Sequence, residues 1–204
     1  MSAMLRNLTR TGNRHREWRT ARRVSHLQLR VPRVLASFTM PKSVDGFTEA
    51  LVAEDIGDCT RGIIHLGELV GSGQESACLA FEDEVIRMTG VLVRARIVDR
   101  DHHLNNIVVA QDGGLARLDF ELARSGVPAA LQPHRYGDML GQLVASHAFA
   151  VQPHNERSTE FAARLAAELE PSRIVRAVAA SVVAAKLASQ RENAGIDTRW
   201  ELRW

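Results

Sequence analysis

Three side chains in the middle of the chain have the types and the spacing needed to bind Mg²⁺ and to orient a hydroxyl group. Asp101 lies five residues before Asn106, and Asp119 follows that asparagine. Mg²⁺ prefers oxygen ligands and usually takes only one or two carboxylates from a protein, with phosphate oxygens and water beside them. Asn106 and Asp119 are therefore candidate metal ligands, and Asp101 is a candidate base for an acceptor hydroxyl. The chemistry that this set predicts is phosphoryl transfer from ATP.

The residues between Asn106 and Asp119 predict a β-hairpin that returns Asp119 beside Asn106. An apolar, β-branched run covers 107–109, a turn signal follows at 112–114, and a second short run covers 115–118. An alternative interpretation of the segment from Asp101 to Asn106 is a polar loop between two strands, because Asp and Asn stabilise turns with their own side chains.

The same spacing matches the protein-kinase pattern H-R-D-x-x-x-x-N followed by D-F-G. The two segments concerned are Val98-Asp-Arg-Asp-His-His-Leu-Asn-Asn and Leu118-Asp-Phe-Glu. Asp99 stands where the pattern has His, and Glu121 stands where protein kinases have Gly. Because Asp99 adds negative charge near Asp101, we expect Arg100 to offset it, and we include Arg100 among the candidate catalytic residues.

Patterning predicts the elements that must position this loop. A helix without Gly or Pro is expected over 13–28, followed by strands over 34–38 and 50–54 with a Gly-containing loop between them. Helices are then expected over 63–71 and 75–95 ahead of the loop, and over 158–170 and 172–192 after it. The tryptophans at 200 and 204 are expected to dock on these last helices or, alternatively, to contact a partner or a membrane interface.

This order of elements resembles the bacterial Kdo and heptose lipopolysaccharide kinase family. The likeness rests on Glu17-Trp18 in the first helix, on 31–35, on 50–55 and on the loop, and it covers roughly residues 14–145. The small kinase-like family named for the PhoP regulatory network is similar in the same pattern. The resemblance implies an α+β, protein-kinase-like fold, with a reduced N-lobe and hinge over 1–58 and a mainly helical C-lobe over 59–204.

The resemblance also implies roles for particular residues. Glu17 would be the helix glutamate that pairs with an ATP-positioning lysine, and Ala53 to Ile56 would form the hinge that meets adenine. The implied nucleotide-binding residues are Glu17, Glu54, Asp55 and Ile56. His103 would orient the loop or the acceptor, with a solvent-facing loop histidine as the alternative. Asp138 would brace the loop or, alternatively, cap a helix. ATP and Mg²⁺ are the implied cofactors, and the implied acceptor is a hydroxyl of a sugar, a glycolipid or another small molecule.

Two expected nucleotide-binding elements are missing from the sequence. A Gly-rich strand-turn-strand and a lysine should precede the helix of Glu17, but the sixteen residues ahead of it contain no Lys. Arg6 stands near the expected position, and its forked guanidinium does not replace an ammonium group conservatively. One hypothesis is therefore a catalytically impaired kinase-like regulatory or binding protein. Another is a truncated start, with the missing elements encoded upstream of Met1.

Composition narrows the class of protein and its compartment. With 45% hydrophobic and 25% charged residues in 204, the chain has the composition of a globular protein. Cys59 and Cys78 have neither metal-ligand spacing nor the density of a secreted scaffold, and no apolar run of about 18 residues occurs, so we expect a cytoplasmic protein without a transmembrane segment. Nine arginines in 1–33 predict a cationic surface, which either binds an anionic partner or, alternatively, is simply a solvated arginine-rich helix. Nucleic acid is the least favoured partner, because no nucleic-acid-binding module accompanies the arginines.

Overall fold

The computed structural model describes residues 13–44, 47–194, 200, 202 and 204; of these, 13–16, 39–44, 47–51 and 191–194 are described by their backbone alone. The described chain is α+β. Its helices are α1 (Asn13–Ser25), α2 (Gly62–Gly71), α3 (Glu75–Arg94), α4 (Pro133–Ala150), α5 (Asn155–Leu169) and α6 (Arg173–Ala194). Its strands are β1 (Val34–Val44), β2 (Phe47–Ala53), β3 (Cys59–Arg61), β4 (Ile97–Asp99), β5 (Ile107–Ala110), β6 (Leu115–Arg117) and β7 (Ala123–Ser125).

The strands form three small sheets, whose neighbouring strands pair antiparallel. β1 pairs with β2, β3 pairs with β5 and β5 with β6, and β4 pairs with β7. Arg30 makes a parallel bridge to Ala116 of β6, which ties the segment after α1 to the second sheet. The small sheets thus frame the segment from 99 to 107 on both sides.

The helices pack around α4. Residues of this helix are buried on nearly every side, which is the pattern of a central helix rather than a surface one. The main apolar core extends from Ala21 and Val24 of α1, through α3 and α4, to Val183 and Leu187 of α6. These two side chains of α1 therefore connect the N-terminal helix to helices α2–α6, which together form the helical body.

A buried carboxylate joins three of these helices. Glu82 of α3 accepts hydrogen bonds from His147 of α4 (3.0 Å), from Arg157 of α5 (2.6 Å) and from Arg164 of α5. Burial alone would raise the pKa of Glu82, but the His147 hydrogen bond and the Arg157 charge lower it below its ordinary value. The imidazole of His147 stacks on Phe161 with ring centroids 4.1 Å apart.

Most of the predicted elements are confirmed, with two corrections. The loop expected after residue 38 is wrong, because β1 continues through Pro41 to Val44. A two-stranded sheet leaves an open edge on each strand, so a proline without an N–H group is tolerated there. The predicted loop residues Asp45 and Gly46 lie outside the described residues. The first helix ends at Ser25 rather than at residue 28, and Gln28 has a φ of 57°.

The two tryptophans at the C-terminal end dock on the helical body, as one of the two hypotheses predicts. Trp200 Nε1 donates to Thr159 Oγ1 of α5 at 3.0 Å, and Trp204 Nε1 donates to the carbonyl oxygen of Arg176 in α6 at 3.1 Å. Cys59 and Cys78 are both free thiols. Within the described residues, no helix is both long and apolar enough to cross a membrane.

Two glycines let α4 and α6 approach closely. A Cβ atom on Gly137 would lie 2.5 Å from Val178 Cβ, and one on Gly141 would lie 2.7 Å from Val182 Cβ. Real Cβ contacts are not that short, so any larger residue must push the two helices apart.

We predict that Gly137→Ala lowers the free energy of unfolding by about 1–3 kcal/mol through overpacking, measured by urea denaturation. Gly71→Ala is the matched control, because a Cβ there has no atom within 4 Å. Alanine also has the higher helix propensity, so the control should be neutral or slightly stabilising. Equal stabilities of the two variants would contradict this packing.

Candidate active site

The β5–β6 hairpin places Asp119 next to Asn106, as the sequence predicts. Ile107 pairs with Arg117 at the open end of the hairpin, and the Leu118 N–H donates to the carbonyl oxygen of Asn106 at 2.8 Å. Asp119 is the next residue after this hydrogen bond. On the other side, β4 leads into the segment from 99 to 106, which ends in a short 3₁₀ turn over Leu104–Asn106.

Side chains join Asp101, Asn106 and His103 into one cluster. Asn106 Nδ2 donates to Asp101 Oδ2 at 3.0 Å and to the Asp101 carbonyl oxygen at 3.1 Å. His103 Nε2 lies 3.1 Å from Asp101 Oδ1 and 3.5 Å from Asn106 Nδ2. The His103 side chain is 21% exposed, so the alternative of a solvent-facing loop histidine is wrong.

The orientation of the Asn106 amide suits a metal ligand. Its Nδ2 donates to Asp101, so the carbonyl oxygen Oδ1 is the amide atom that remains to coordinate a cation. Asn106 and Asp119 together offer two oxygen ligands, which is the small protein contribution that Mg²⁺ usually accepts. Within the described part of the chain, no group of three or more His, Cys, Asp or Glu side chains is arranged for a metal ion. With two oxygen ligands, Asn106 and Asp119 fit a Mg²⁺ ion that takes its remaining ligands from phosphate oxygens and water.

Asp119 has an unusual backbone conformation. Its φ is 54°, in the left-handed region that non-glycine residues seldom occupy and that Asp tolerates better than most. Its Oδ1 accepts a hydrogen bond from the Glu121 N–H at 2.9 Å, and the adjacent Phe120 is buried. Such conformations persist where the surrounding structure enforces them, and they are concentrated at functional sites.

One buried guanidinium binds both ends of the loop. Arg117 Nη2 donates to Asp99 Oδ2 at 2.6 Å and to the Asp101 carbonyl oxygen at 3.0 Å, while Nη1 donates to the Asn106 carbonyl oxygen at 3.2 Å. The side chains of Arg117 and Asp99 are both fully buried. Burial raises the pKa of Asp99, and the Arg117 charge opposes that rise. Arg117 thus connects the three residues that begin, form and end the loop.

A buried histidine completes this network. Arg117 Nε donates to His102 Nδ1 at 3.3 Å, so His102 must carry its proton on Nε2, which lies 2.9 Å from Thr89 Oγ1. Thr89 in turn donates to the Val85 carbonyl oxygen in α3. Burial and the Arg117 charge hold the pKa of His102 well below its ordinary value, in agreement with a neutral imidazole.

Sequence reasoning missed Arg117 and His102 and assigned the wrong partner to Arg100. We expected Arg100 to offset Asp99, but Arg117 does so, and Arg100 Nε instead lies 2.6 Å from Asp138 Oδ2 of α4. Asp138 is six residues into α4, so its predicted capping role is wrong, and it contacts the loop through Arg100. The sequence did contain a signal for this role of Arg117. It lies in the short, otherwise apolar strand β6, and a buried arginine is expected to pair with a carboxylate.

The predicted hinge residues occupy the connection between β2 and β3. The Glu54 N–H donates to the Arg33 carbonyl oxygen at 2.8 Å, and Asp55 Oδ1 accepts from the Gly57 N–H at 3.0 Å. The Glu54 N–H is therefore already occupied rather than presented to an adenine ring. Ile56 is partly buried in the same connection, and Glu17 is buried on α1.

Several of the N-terminal arginines make contacts within the chain. Arg23 Nη2 donates to the Ala95 carbonyl oxygen at 2.8 Å, and Arg30 Nη1 donates to both carboxylate oxygens of Asp112 at 2.8 Å. The Asp112 carboxylate offsets the charge of Arg30, whereas Arg23 remains an exposed cation. Arg6 lies outside the described residues.

Known proteins add no constraint on this arrangement: no protein-family model matches the chain, and a search of curated proteins finds no match either. The kinase-like interpretation consequently depends on the residues and their geometry.

We predict that Arg117→Met destabilises the protein by about 3–5 kcal/mol, because it leaves the carboxylate of Asp99 buried without a counter-ion. Thermal or urea unfolding measures the change. The matched control is Arg87→Met, which removes an exposed guanidinium that pairs with Glu84 at 2.6 Å. Surface pairs contribute about 0–1 kcal/mol, so the control should remain close to wild type. A similar loss in both variants would contradict the role given to Arg117.

Proposed function

We propose that this protein is an ATP- and Mg²⁺-dependent phosphotransferase of kinase-like fold that acts on a hydroxyl group. One observation carries the proposal. Asp101 and Asn106 are joined side chain to side chain on a single loop, and the hairpin returns Asp119 to the residue after the Leu118–Asn106 hydrogen bond. This arrangement supports the proposal, because a carboxylate suited to the role of base and two oxygen ligands occur in the order of the kinase motif.

The proposed reaction is a single displacement at phosphorus. The acceptor hydroxyl oxygen would form a bond to the γ-phosphorus of ATP, the bond to the β–γ bridging oxygen would break, and ADP would leave with that electron pair. The hydroxyl proton would pass to the Asp101 carboxylate. His103 and Asn106 contact the two carboxylate oxygens of Asp101, so they fix its orientation toward the acceptor.

Asn106 and Asp119 would hold the Mg²⁺ ion, which when bound offsets the charge of the phosphate oxygens. Arg117 contributes indirectly. Its bonds to the Asp101 and Asn106 carbonyl oxygens fix the distance between the base and the first metal ligand. The Glu121 N–H, which donates to Asp119 Oδ1, orients the side chain of the second ligand.

The acceptor is proposed to be small rather than a protein. Support comes from the resemblance to lipopolysaccharide kinases, whose acceptors are sugars on a glycolipid, and from Glu121 at the position of the protein-kinase glycine. One fold supports many substrates, so this part of the proposal rests on the likeness alone. A cytoplasmic location is proposed with it, where ATP is abundant and the free thiols Cys59 and Cys78 remain reduced.

A second candidate function is that of a kinase-like binding or regulatory protein without turnover. One observation favours it: the Glu54 N–H in the predicted hinge already donates to the Arg33 carbonyl oxygen, so it is not presented to an adenine ring. The two functions differ in whether ATP binds with Mg²⁺ and is consumed.

We predict that the wild-type protein binds ATP in a Mg²⁺-dependent manner in calorimetry and that Asp119→Asn weakens this binding at least tenfold, because a metal ligand loses its charge. Asp112→Asn is the matched control, since Asp112 lies exposed in the turn of the same hairpin. Its affinity should stay near that of wild type. No ATP binding at millimolar concentration would favour the binding-protein function instead.

Asp101→Asn should separate binding from turnover. We predict that this variant still binds Mg²⁺ and ATP, because Asp101 is not a proposed metal ligand, but loses ATP consumption by a factor of about 100 or more. The release of ADP, measured with a coupled assay, gives the rate. Unchanged turnover in this variant would exclude Asp101 as the base.

A further inference from the structure

A polar cavity adjoins His103, the residue that contacts the candidate base. It has a volume of about 330 Å³, is partly open to solvent, and is bordered by the start of α2, the loop from 103 to 105, one side of α4 and the last turns of α6. This volume is at the lower end of the range for small-molecule sites. The residues that give it its chemistry are His103, Asn105, Gln142, Phe149, Lys186 and Gln190.

The chemistry of the lining selects a particular kind of ligand. Side-chain amides both donate and accept hydrogen bonds, as hydroxyl groups do, and Phe149 adds an aromatic surface. Among the described residues that line the cavity, Lys186 is the one side chain that carries a permanent charge, and none is a carboxylate. The chain contains only two lysines, so an ammonium group at this position is not a consequence of a lysine-rich surface.

His103 connects the cavity to the candidate base. Its Nε2 lies 3.1 Å from Asp101 Oδ1, while its Nδ1 is buried and has no hydrogen-bond partner among the described residues. A buried polar atom without a partner is costly, and native structures usually satisfy it with protein, water or a ligand. A ligand hydroxyl in the cavity would supply the missing partner and would lie one imidazole ring away from Asp101.

The wall around His103 is held by the helical body. The Leu104 N–H donates to Ser146 Oγ of α4 at 3.0 Å, and Ser146 donates to the Leu143 carbonyl oxygen at 2.8 Å. Both bonds are buried. The loop side and the α4 side of the cavity are thus fixed relative to each other.

We infer that this cavity binds the phosphoryl acceptor, and that the acceptor is a small polyhydroxylated molecule with one anionic group, carboxylate or phosphate, that pairs with Lys186. The inference rests on the proposed function, to which it adds a substrate class and a binding site. Gln142 and Gln190 would hydrogen-bond hydroxyl groups of the acceptor, and His103 Nδ1 would accept a hydrogen bond from a hydroxyl adjacent to the one that reaches Asp101.

A pair of probe ligands tests the charge requirement. Gluconate and glucitol have the same length and nearly the same hydroxyl groups, but only gluconate has a carboxylate. Binding to the full chain, without nucleotide, is measured by ligand-observed NMR titration. We expect gluconate to bind more tightly than glucitol. Glucose 6-phosphate and glucose form a second pair, which distinguishes a phosphate from a carboxylate as the preferred anion.

A pair of variants tests the residue. Lys186→Gln removes the ammonium group at an exposed helical position, and Arg173→Gln removes the same charge from an exposed position on α6 outside the lining. We expect Lys186→Gln to weaken binding of the preferred anion about three- to tenfold, the range for a partly exposed charged hydrogen bond. Glucitol binding should not change in either variant, and Arg173→Gln should match wild type throughout.

The outcomes separate this inference from the proposed function. If neither anion binds, or if Lys186→Gln and Arg173→Gln bind the anions equally, the inference is overturned, whether or not ATP binds. If the anions bind through Lys186 but ATP does not bind with Mg²⁺, the proposed function fails and the acceptor assignment fails with it. Lys186-dependent anion binding together with Asp119-dependent ATP binding supports both.

Discussion

The buried ion pair between Arg117 and Asp99 is the interaction on which the rest of the candidate site depends. Two fully buried opposite charges are stable together but strongly destabilising when one is removed. Because the same guanidinium also binds the Asp101 and Asn106 carbonyl oxygens, the ion pair positions the loop as well as neutralising charge. The buried ion pair therefore holds the loop in the conformation that positions Asp101 and Asn106 near Asp119.

Helix α4 holds the loop that carries Asp101 and Asn106 through two side-chain contacts. Ser146 of α4 binds the loop at Leu104, and Asp138 of the same helix binds Arg100. The position of α4 depends in turn on its close contact with α6, which Gly137 and Gly141 permit. The packing of α4 against α6 is thus connected, through a few hydrogen bonds to the loop, to the orientation of the Asp101 carboxylate.

Much of this structure follows from local sequence signals. The β-branched run, the Asp-Gly-Gly turn and the second run predict the hairpin, and apolar periodicity predicts α2 and α3. The role of Arg117 could not be predicted from such signals, because its partner Asp99 is eighteen residues away and the pairing depends on how β4 and β6 are placed in three dimensions. The same reason explains the wrong partner given to Arg100: its actual partner, Asp138, lies on α4, far along the chain.

The central claim is that Asn106 and Asp119 hold a metal ion against the phosphates of ATP. Anomalous diffraction from crystals grown with Mn²⁺ and a non-hydrolysable ATP analogue tests it most directly. The account predicts an anomalous peak roughly 2 Å from Asn106 Oδ1 and from an Asp119 carboxylate oxygen, with phosphate oxygens completing the coordination. Bound analogue with the metal at other residues, or crystals in which neither binds, would contradict it.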